Sequence, residues 1–237
     1  MFYFVLEFKI KIFTMNKILT LSIFIITICS ESLFSYSKIN KSDTLTINYD
    51  QLKFREIGPA LMSGRISDIV IHPDNQNIWY VTAGSGGVWK TENSGTTWKS
   101  IFDKQISYSI GCITMNPQNS NELWVGTGEN VGGRHVAYGD GIYKSTDAGN
   151  TWKNMGLKSS EHISKIIIHP HNSDIIWVAS QGPLWNSGGD RGVYKSNDGG
   201  KTWVKTLGDE KWVGVTDILI DPRNPNLLYA ATWQRHR

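Results

Sequence analysis

Short apolar runs alternate with polar turns along residues 65–237, and none of these runs has helical spacing. Four of them share one pattern, in which β-branched residues lead into a turn that contains proline. These four runs are residues 67–73, 112–117, 164–170 and 216–222. A polar turn and a second apolar run follow each one. Runs of this length, rich in β-branched and aromatic residues and bounded by Gly, Asn and Pro, predict β-strands.

A hairpin pattern recurs in phase with these strands, at residues 87–98, 141–152 and 192–203. Its closing tryptophans, Trp98, Trp152 and Trp203, are 54 and 51 residues apart. Each unit therefore contains four strands, A to D, in about fifty residues, which is typical of one four-stranded antiparallel β-propeller blade. A solenoid would repeat at half this length or less. We predict an all-β propeller.

The repeat also predicts the domain organisation. The predicted blades span residues 65–102, 110–156, 162–207 and 214–237, and the last is incomplete. Because a propeller needs about four or more blades to close, we expect about three and a half blades of a larger, seven-bladed ring. The missing C-terminal blades of the same parent chain are then partners of this segment. Residues 52–58 resemble an outer strand D, and we expect them to close that ring.

The N-terminal residues differ in composition from the repeats. Positively charged Lys17 precedes eleven mostly apolar residues, 18–28, and small polar residues follow. This pattern predicts a signal peptide over residues 1–37, with Met15 as a possible true start, and a linker over residues 38–51. Eleven residues are too few for a membrane span, which needs about 20. We expect export, to a secreted, periplasmic or cell-surface location.

Charge and composition exclude several classes of function. The net charge is +3 with Lys and Arg scattered singly, so no basic stripe predicts nucleic-acid binding. Removal of the leader would leave Cys112 as the single thiol, in an apolar run that predicts burial. The Gly-rich segments 84–87 and 126–133 do not lead into a helix, so phosphate binding is not expected. No ligand set for a metal and no cofactor motif is present.

The repeated hairpin carries a motif with a structural explanation. Residues 145–152 and 196–203 fit Ser-x-Asp-x-Gly-x-x-Trp, and residues 91–98 fit a variant of it. The Ser and Asp side chains suit hydrogen bonds to a tight turn, and the Trp suits a cover over the hairpin. The alternative, a catalytic carboxylate, is disfavoured because the same Asp recurs at each turn. The predicted structural residues are Ser145, Asp147, Gly149, Trp152, Ser196, Asp198, Gly200 and Trp203.

With this motif, the chain resembles the Asp-box (BNR-repeat) β-propeller superfamily, which includes sialidases, xyloglucanase-type glycoside hydrolases and sortilin/Vps10 ectodomains. Within it, the chain is similar to a family of secreted bacterial propellers described as sortilin-like or glycosyl-hydrolase-like. The resemblance covers residues 52–237. The segments that carry it are 64–68, 83–90, 126–130, 138–141, 181–185 and 189–192. It implies the fold but leaves the activity open, because the superfamily contains both enzymes and binding modules.

Strand parity predicts where a ligand would bind. In an up-and-down blade, the B–C and D–A loops emerge on the face opposite the C–D turns that carry the motif. The B–C loops of the second and third blades, 128–140 and 181–191, are longer than that of the first, and long loops on a rigid scaffold often carry function. The candidate ligand-binding residues are Arg65, Asn130, Arg134, His135, Tyr138, Trp185, Arg191 and Trp212.

Two functions are consistent with this face. The sequence favours a non-enzymatic binding module for a peptide, protein or glycan. The alternative is a xyloglucanase- or sialidase-like glycoside hydrolase, which needs two carboxylates about 5 to 9.5 Å apart. The candidate catalytic residues are Glu129, Asp140 and Asp190. Asp140 and Asp190 stand just before strand C, where a simple turn cap is the other explanation.

Overall fold

Fourteen β-strands form the part of the chain that the computed structural model describes, which is residues 65–130, 136–208 and 211–234. No helix occurs in these ranges. The predicted leader (1–37), linker (38–51) and closing strand (52–58) lie outside the described residues, as do Arg134 and His135.

The strands form four antiparallel sheets, which we call blades 1 to 4, and in each sheet consecutive strands are neighbours. Blade 1 contains β1 (Ile66–Ile71), β2 (Trp79–Ala83), β3 (Gly87–Thr91) and β4 (Lys99–Ser100). Blade 2 contains β5 (Ile110–Asn116), β6 (Asn119–Thr127), β7 (Ile142–Ser145) and β8 (Lys153–Asn154). Blade 3 contains β9 (Ile163–His169), β10 (Asn172–Ser180), β11 (Gly192–Ser196) and β12 (Val204–Leu207). Blade 4 contains β13 (Val213–Asp221) and β14 (Asn224–Gln234). The predicted fold class is confirmed.

Apolar clusters between the sheets hold successive blades together. The inner strands supply equivalent isoleucines: Ile113 of β5 is 4% exposed and Ile166 of β9 is 1% exposed. Ile69 of β1, at the equivalent register, is 52% exposed. Burial of such a side chain contributes ~1.5–3 kcal/mol to stability. On the face of blade 1 that points away from blade 2, Ile69 does not gain this stabilisation from the described residues.

The motif turns, residues 91–98, 145–152 and 196–203, are called box turns below. In the second turn, the Gly149 amide donates to Ser145 Oγ at 2.9 Å, and the Ser145 hydroxyl donates to Asp147 Oδ1 at 2.8 Å. The Thr151 amide donates to the same carboxylate oxygen at 2.8 Å. Gly149 has a φ of 87°, a conformation that favours glycine. The Ser and Asp side chains therefore satisfy the backbone of a tight left-handed turn.

The third box turn repeats this arrangement with Ser196, Asp198, Gly200 and Thr202. Hydrogen bonds from Thr202 hold the pKa of the Asp198 carboxyl down at about 2. The Asp147 pKa is lowered for the same reason, with Thr151 as donor. Both carboxylates thus stay ionised as acceptors for the turn.

The box tryptophans connect neighbouring blades. Trp152 Nε1 of blade 2 donates to the Ile101 carbonyl of blade 1 at 2.9 Å, and its ring centroid lies 5.2 Å from that of Phe102. Trp203 of blade 3 donates in the same way to the Met155 carbonyl of blade 2 at 2.8 Å. The sequence predicted a cover over the tryptophan's own hairpin. The structure confirms this cover, since a Cβ at Gly149 would lie 3.5 Å from Trp152 Cζ2, and it adds a hydrogen bond to the preceding blade.

Candidate ligand-binding face

The two ends of the sheets carry different connections. Box turns contact the A–B turns, since the Ser94 amide donates to the Asn77 carbonyl at 3.0 Å. At the other end, the B–C loops contact the segments that join one blade to the next. The Gly139 amide, for example, donates to the Glu161 carbonyl at 2.7 Å. We call this second end the loop face, formed by the β2–β3, β6–β7 and β10–β11 loops and the inter-blade segments.

An ion pair joins blades 1 and 2 on the loop face. Glu129 is fully buried, and the Arg65 guanidinium donates to both of its carboxylate oxygens, with Nη2 2.6 Å from Oε2. Gly84 makes room for this carboxylate, because a Cβ there would lie 2.6 Å from Glu129 Oε1. The Arg65 side chain remains 46% exposed. Glu129 is therefore engaged internally, while Arg65 is open to solvent on one side.

Arg191 is fully buried and organises the β10–β11 loop. Its guanidinium donates to backbone carbonyls, at distances that include 2.9 Å to Gln181 and 2.8 Å to Asn186. The other acceptors are the carbonyls of Pro183, Gly188 and Trp212. Burial lowers the Arg191 pKa, and the negative charge of Glu161 acts in the opposite direction. Arg191 thus fixes the shape of the loop from inside.

The two aspartates on the long loops also bind backbone or neighbouring side chains. Asp140 accepts from the Tyr143 hydroxyl at 2.5 Å, and its amide donates to Thr127 Oγ1 at 2.9 Å. Burial and the Asp140 carboxylate raise the Tyr143 pKa to about 12. Asp190 accepts from the Ser159 amide at 2.9 Å. Asp190 thus joins the β10–β11 loop to the segment between blades 2 and 3, and Asp140 bonds to the start of β7.

The remaining candidates divide into buried and exposed groups. Asn130 is half-buried, and its side chain donates to the Gly111 carbonyl at 3.2 Å. The Trp212 ring lies 5.6 Å from the Arg191 guanidinium carbon. Tyr138 and Trp185, in contrast, are 56% and 47% exposed. The described part of the loop face therefore presents aromatic rings on a framework of internally bonded polar groups.

One exposed segment on this face was not among the predicted site residues. Between blades 1 and 2, Ile106 and Tyr108 are 87% and 62% exposed, whereas the serines at 107 and 109 are buried. The only signal for it was the alternation Ile-Ser-Tyr-Ser, in a connection whose length is ordinary. Composition does not distinguish such a segment from a turn.

The described ranges contain neither a candidate metal-binding cluster nor an exposed free thiol. No group of three or more His, Cys, Asp or Glu residues there could hold a metal ion. Cys112 is a free, buried thiol, and burial raises its pKa to about 12, so it stays protonated. No helix long and apolar enough to cross a membrane occurs among the residues described.

Several curated proteins are similar to this chain, although no protein-family model matches it. An oligoxyloglucan-reducing end-specific xyloglucanase of Emericella nidulans is 21% identical over 206 residues, 78% of this chain and 23% of that protein. A xyloglucanase of Hypocrea jecorina is 24% identical over 69% of this chain and 20% of its own length. A xyloglucanase of a Paenibacillus species is 29% identical over 67% of this chain and 15% of its own length. The matches thus span about a fifth of the length of these relatives.

Solved structures of GH74 enzymes superpose on this chain and support its β-propeller fold. An ancestral GH74 enzyme superposes with a TM-score of 0.55 at 23% identity, over 71% of this chain and 22% of that one. The GH74 xyloglucanase of Xanthomonas campestris superposes with a TM-score of 0.53 at 16% identity, over 70% of this chain and 26% of that one. The chain has a β-propeller fold, and its sequence is similar to parts of xyloglucanases.

Proposed function

We propose that the protein binds a xyloglucan-type polysaccharide on the loop face and is part of a glycoside hydrolase. The curated relatives are named as xyloglucanases, which supports the hydrolase alternative better than the non-enzymatic module that the sequence favoured.

The observation that carries the proposal is the exposure of aromatic rings on the loop face. Tyr138 and Trp185 remain about half exposed on loops whose polar groups are bonded internally. Aromatic rings with a polar edge suit the apolar faces and hydroxyl groups of sugars. Because Arg191 fixes the backbone on both sides of Trp185, little backbone entropy would be lost when this loop binds a ligand.

The candidate carboxylates are less suited to acid–base chemistry than to holding the loops. Glu129 is buried against Arg65, and Asp140 and Asp190 accept hydrogen bonds from the protein. A retaining or inverting hydrolase needs one carboxyl group as acid and a second as nucleophile or base. We therefore assign polysaccharide binding to this segment and place the catalytic pair at other carboxylates of the whole protein.

The test is to incubate the intact protein with xyloglucan, and with starch as a control, and to measure both retention in affinity electrophoresis and new reducing ends. We expect retention by xyloglucan, release of reducing ends, and hydrolysis that persists in Asp190→Asn. Retention without reducing ends would instead support a binding module. Absence of retention would overturn the proposal, and loss of hydrolysis in a stably folded Asp190→Asn protein would make Asp190 catalytic.

A further inference from the structure

The segment between blades 1 and 2 presents two side chains outward and two inward. Ile106 and Tyr108 are exposed, while Ser107 and Ser109 are 7% and 0% exposed. The Ser109 amide donates to Ser107 Oγ at 3.2 Å, so the chain turns locally around Tyr108 with both serine side chains on its inner side. Ile106 and Tyr108 extend into solvent, while the serines face the protein.

The two buried serines attach this segment to the β6–β7 loop. Ser107 Oγ lies 3.2 Å from the Tyr138 carbonyl oxygen, and Ser109 Oγ lies 2.9 Å from the Ala137 carbonyl oxygen. On the other side, the Gly87 amide donates to the Tyr108 carbonyl at 2.8 Å. The backbones of Tyr108 and Tyr138 are thus held beside each other by hydrogen bonds from both sides.

The Tyr138 ring is also restrained. Its centroid lies 5.9 Å from that of the buried His162 ring, in an edge-on arrangement. Two tyrosines, 62% and 56% exposed, then stand on neighbouring, well-anchored segments. Tyrosine offers a large contact area with only two rotatable side-chain bonds, which suits a binding surface.

We propose that Tyr108 and Tyr138 form a two-ring platform on which consecutive sugar units of a neutral polysaccharide stack, an inference that rests on the proposed function. Tyrosine combines an apolar ring with a hydroxyl group, which matches a sugar's C–H face and its hydroxyl groups. The junction of blades 1 and 2 would then supply a binding subsite separate from Trp185 on blade 3.

The test compares Tyr108→Ala, Tyr138→Ala and Tyr108→Phe with wild type in the intact protein, using xyloglucan as the probe in isothermal titration. Each alanine variant should raise Kd about two- to tenfold, the range expected for one aromatic stacking contact. Tyr108→Phe should stay within about twofold of wild type, since the ring is retained. Ile106→Ala, in the same segment and more exposed, is the matched control and should leave Kd unchanged. Melting temperatures of all variants verify folding.

The outcomes separate this inference from the proposed function. If both alanine variants bind like wild type while Trp185→Ala binds more weakly, the platform is wrong and the proposed function stands. If wild type does not bind xyloglucan at all, both the platform and the proposed function are wrong. If Ile106→Ala weakens binding as much as Tyr108→Ala does, the patch is a general apolar surface of the kind that docks proteins, and the saccharide platform is overturned.

Discussion

The box turns and the loop face differ in what the repeat preserves. The second and third box turns have the same side chains and nearly the same distances, with the glycine amide 2.9 and 2.8 Å from the serine oxygen. On the loop face, the first residue after strand B donates to the residue before strand A in all three complete blades, at 2.8, 2.7 and 2.9 Å. The accepting residues there are Arg65, Ser109 and His162.

The backbone therefore repeats on both faces, but the side chains repeat only in the box turns. A side chain that recurs at every box turn has a structural role that all blades share. It closes the C–D hairpin and packs that blade against the neighbouring one. Side chains that differ between blades on a common backbone can have a different role in each blade, such as ligand binding. Box-turn changes should thus reduce stability, and changes to exposed loop-face residues should reduce binding.

The largest effect is expected from the tryptophan that joins blades 1 and 2. Trp152→Ala removes ring packing against Phe102 and the hydrogen bond to Ile101, so the free energy of unfolding should fall by about 3 kcal/mol. Trp98→Ala is the matched control, since Trp98 donates no such hydrogen bond to a described residue and should cost less. Urea unfolding of the intact protein measures both. Equal losses would show that the inter-blade contact contributes little.

A smaller effect is expected within a box turn. Ser196→Ala leaves the buried Gly200 amide without its acceptor and should lower the free energy of unfolding by about 1–2 kcal/mol. Ser180→Ala is the control, because the buried Ser180 hydroxyl has no hydrogen-bond partner among the described residues, and this change should be neutral or stabilising. A larger loss from Ser180→Ala than from Ser196→Ala would contradict the role given to the turn.

The smallest effect concerns pH. The Asp198 pKa is about 2 in the folded protein and about 3.9 when unfolded, so its stabilising contribution is present above pH 4. It should be lost as the pH falls through the folded pKa. Asp198→Asn should therefore lower the melting temperature slightly at pH 6, and the difference from wild type should shrink toward pH 2. A difference that stays constant down to pH 2 would show that the ionised carboxylate is unimportant.

The fold could be predicted from the sequence because the residue patterns that specify a blade recur along the chain. Strand runs and box turns recur about every fifty residues, so each one supported the interpretation of the others. The burial of Arg191 was not predictable in this way, since its partners are backbone carbonyls that carry no side-chain signature. The bond from Trp152 to Ile101 depends on how blades dock, and the exposure of Tyr108 depends on two serines that face inward. Local patterns predicted the blades, whereas contacts between them required the structure.

The proposed xyloglucan binding at the loop face is tested most directly by titrating the polysaccharide into wild type, Trp185→Ala and Ser196→Ala, with a melting curve for each protein. We expect Trp185→Ala to raise Kd about tenfold with an unchanged melting temperature. Ser196→Ala should lower the melting temperature and leave Kd unchanged at a temperature where both proteins are folded. The opposite pattern, with binding lost in Ser196→Ala and kept in Trp185→Ala, would contradict the assignment of the loop face as the binding surface.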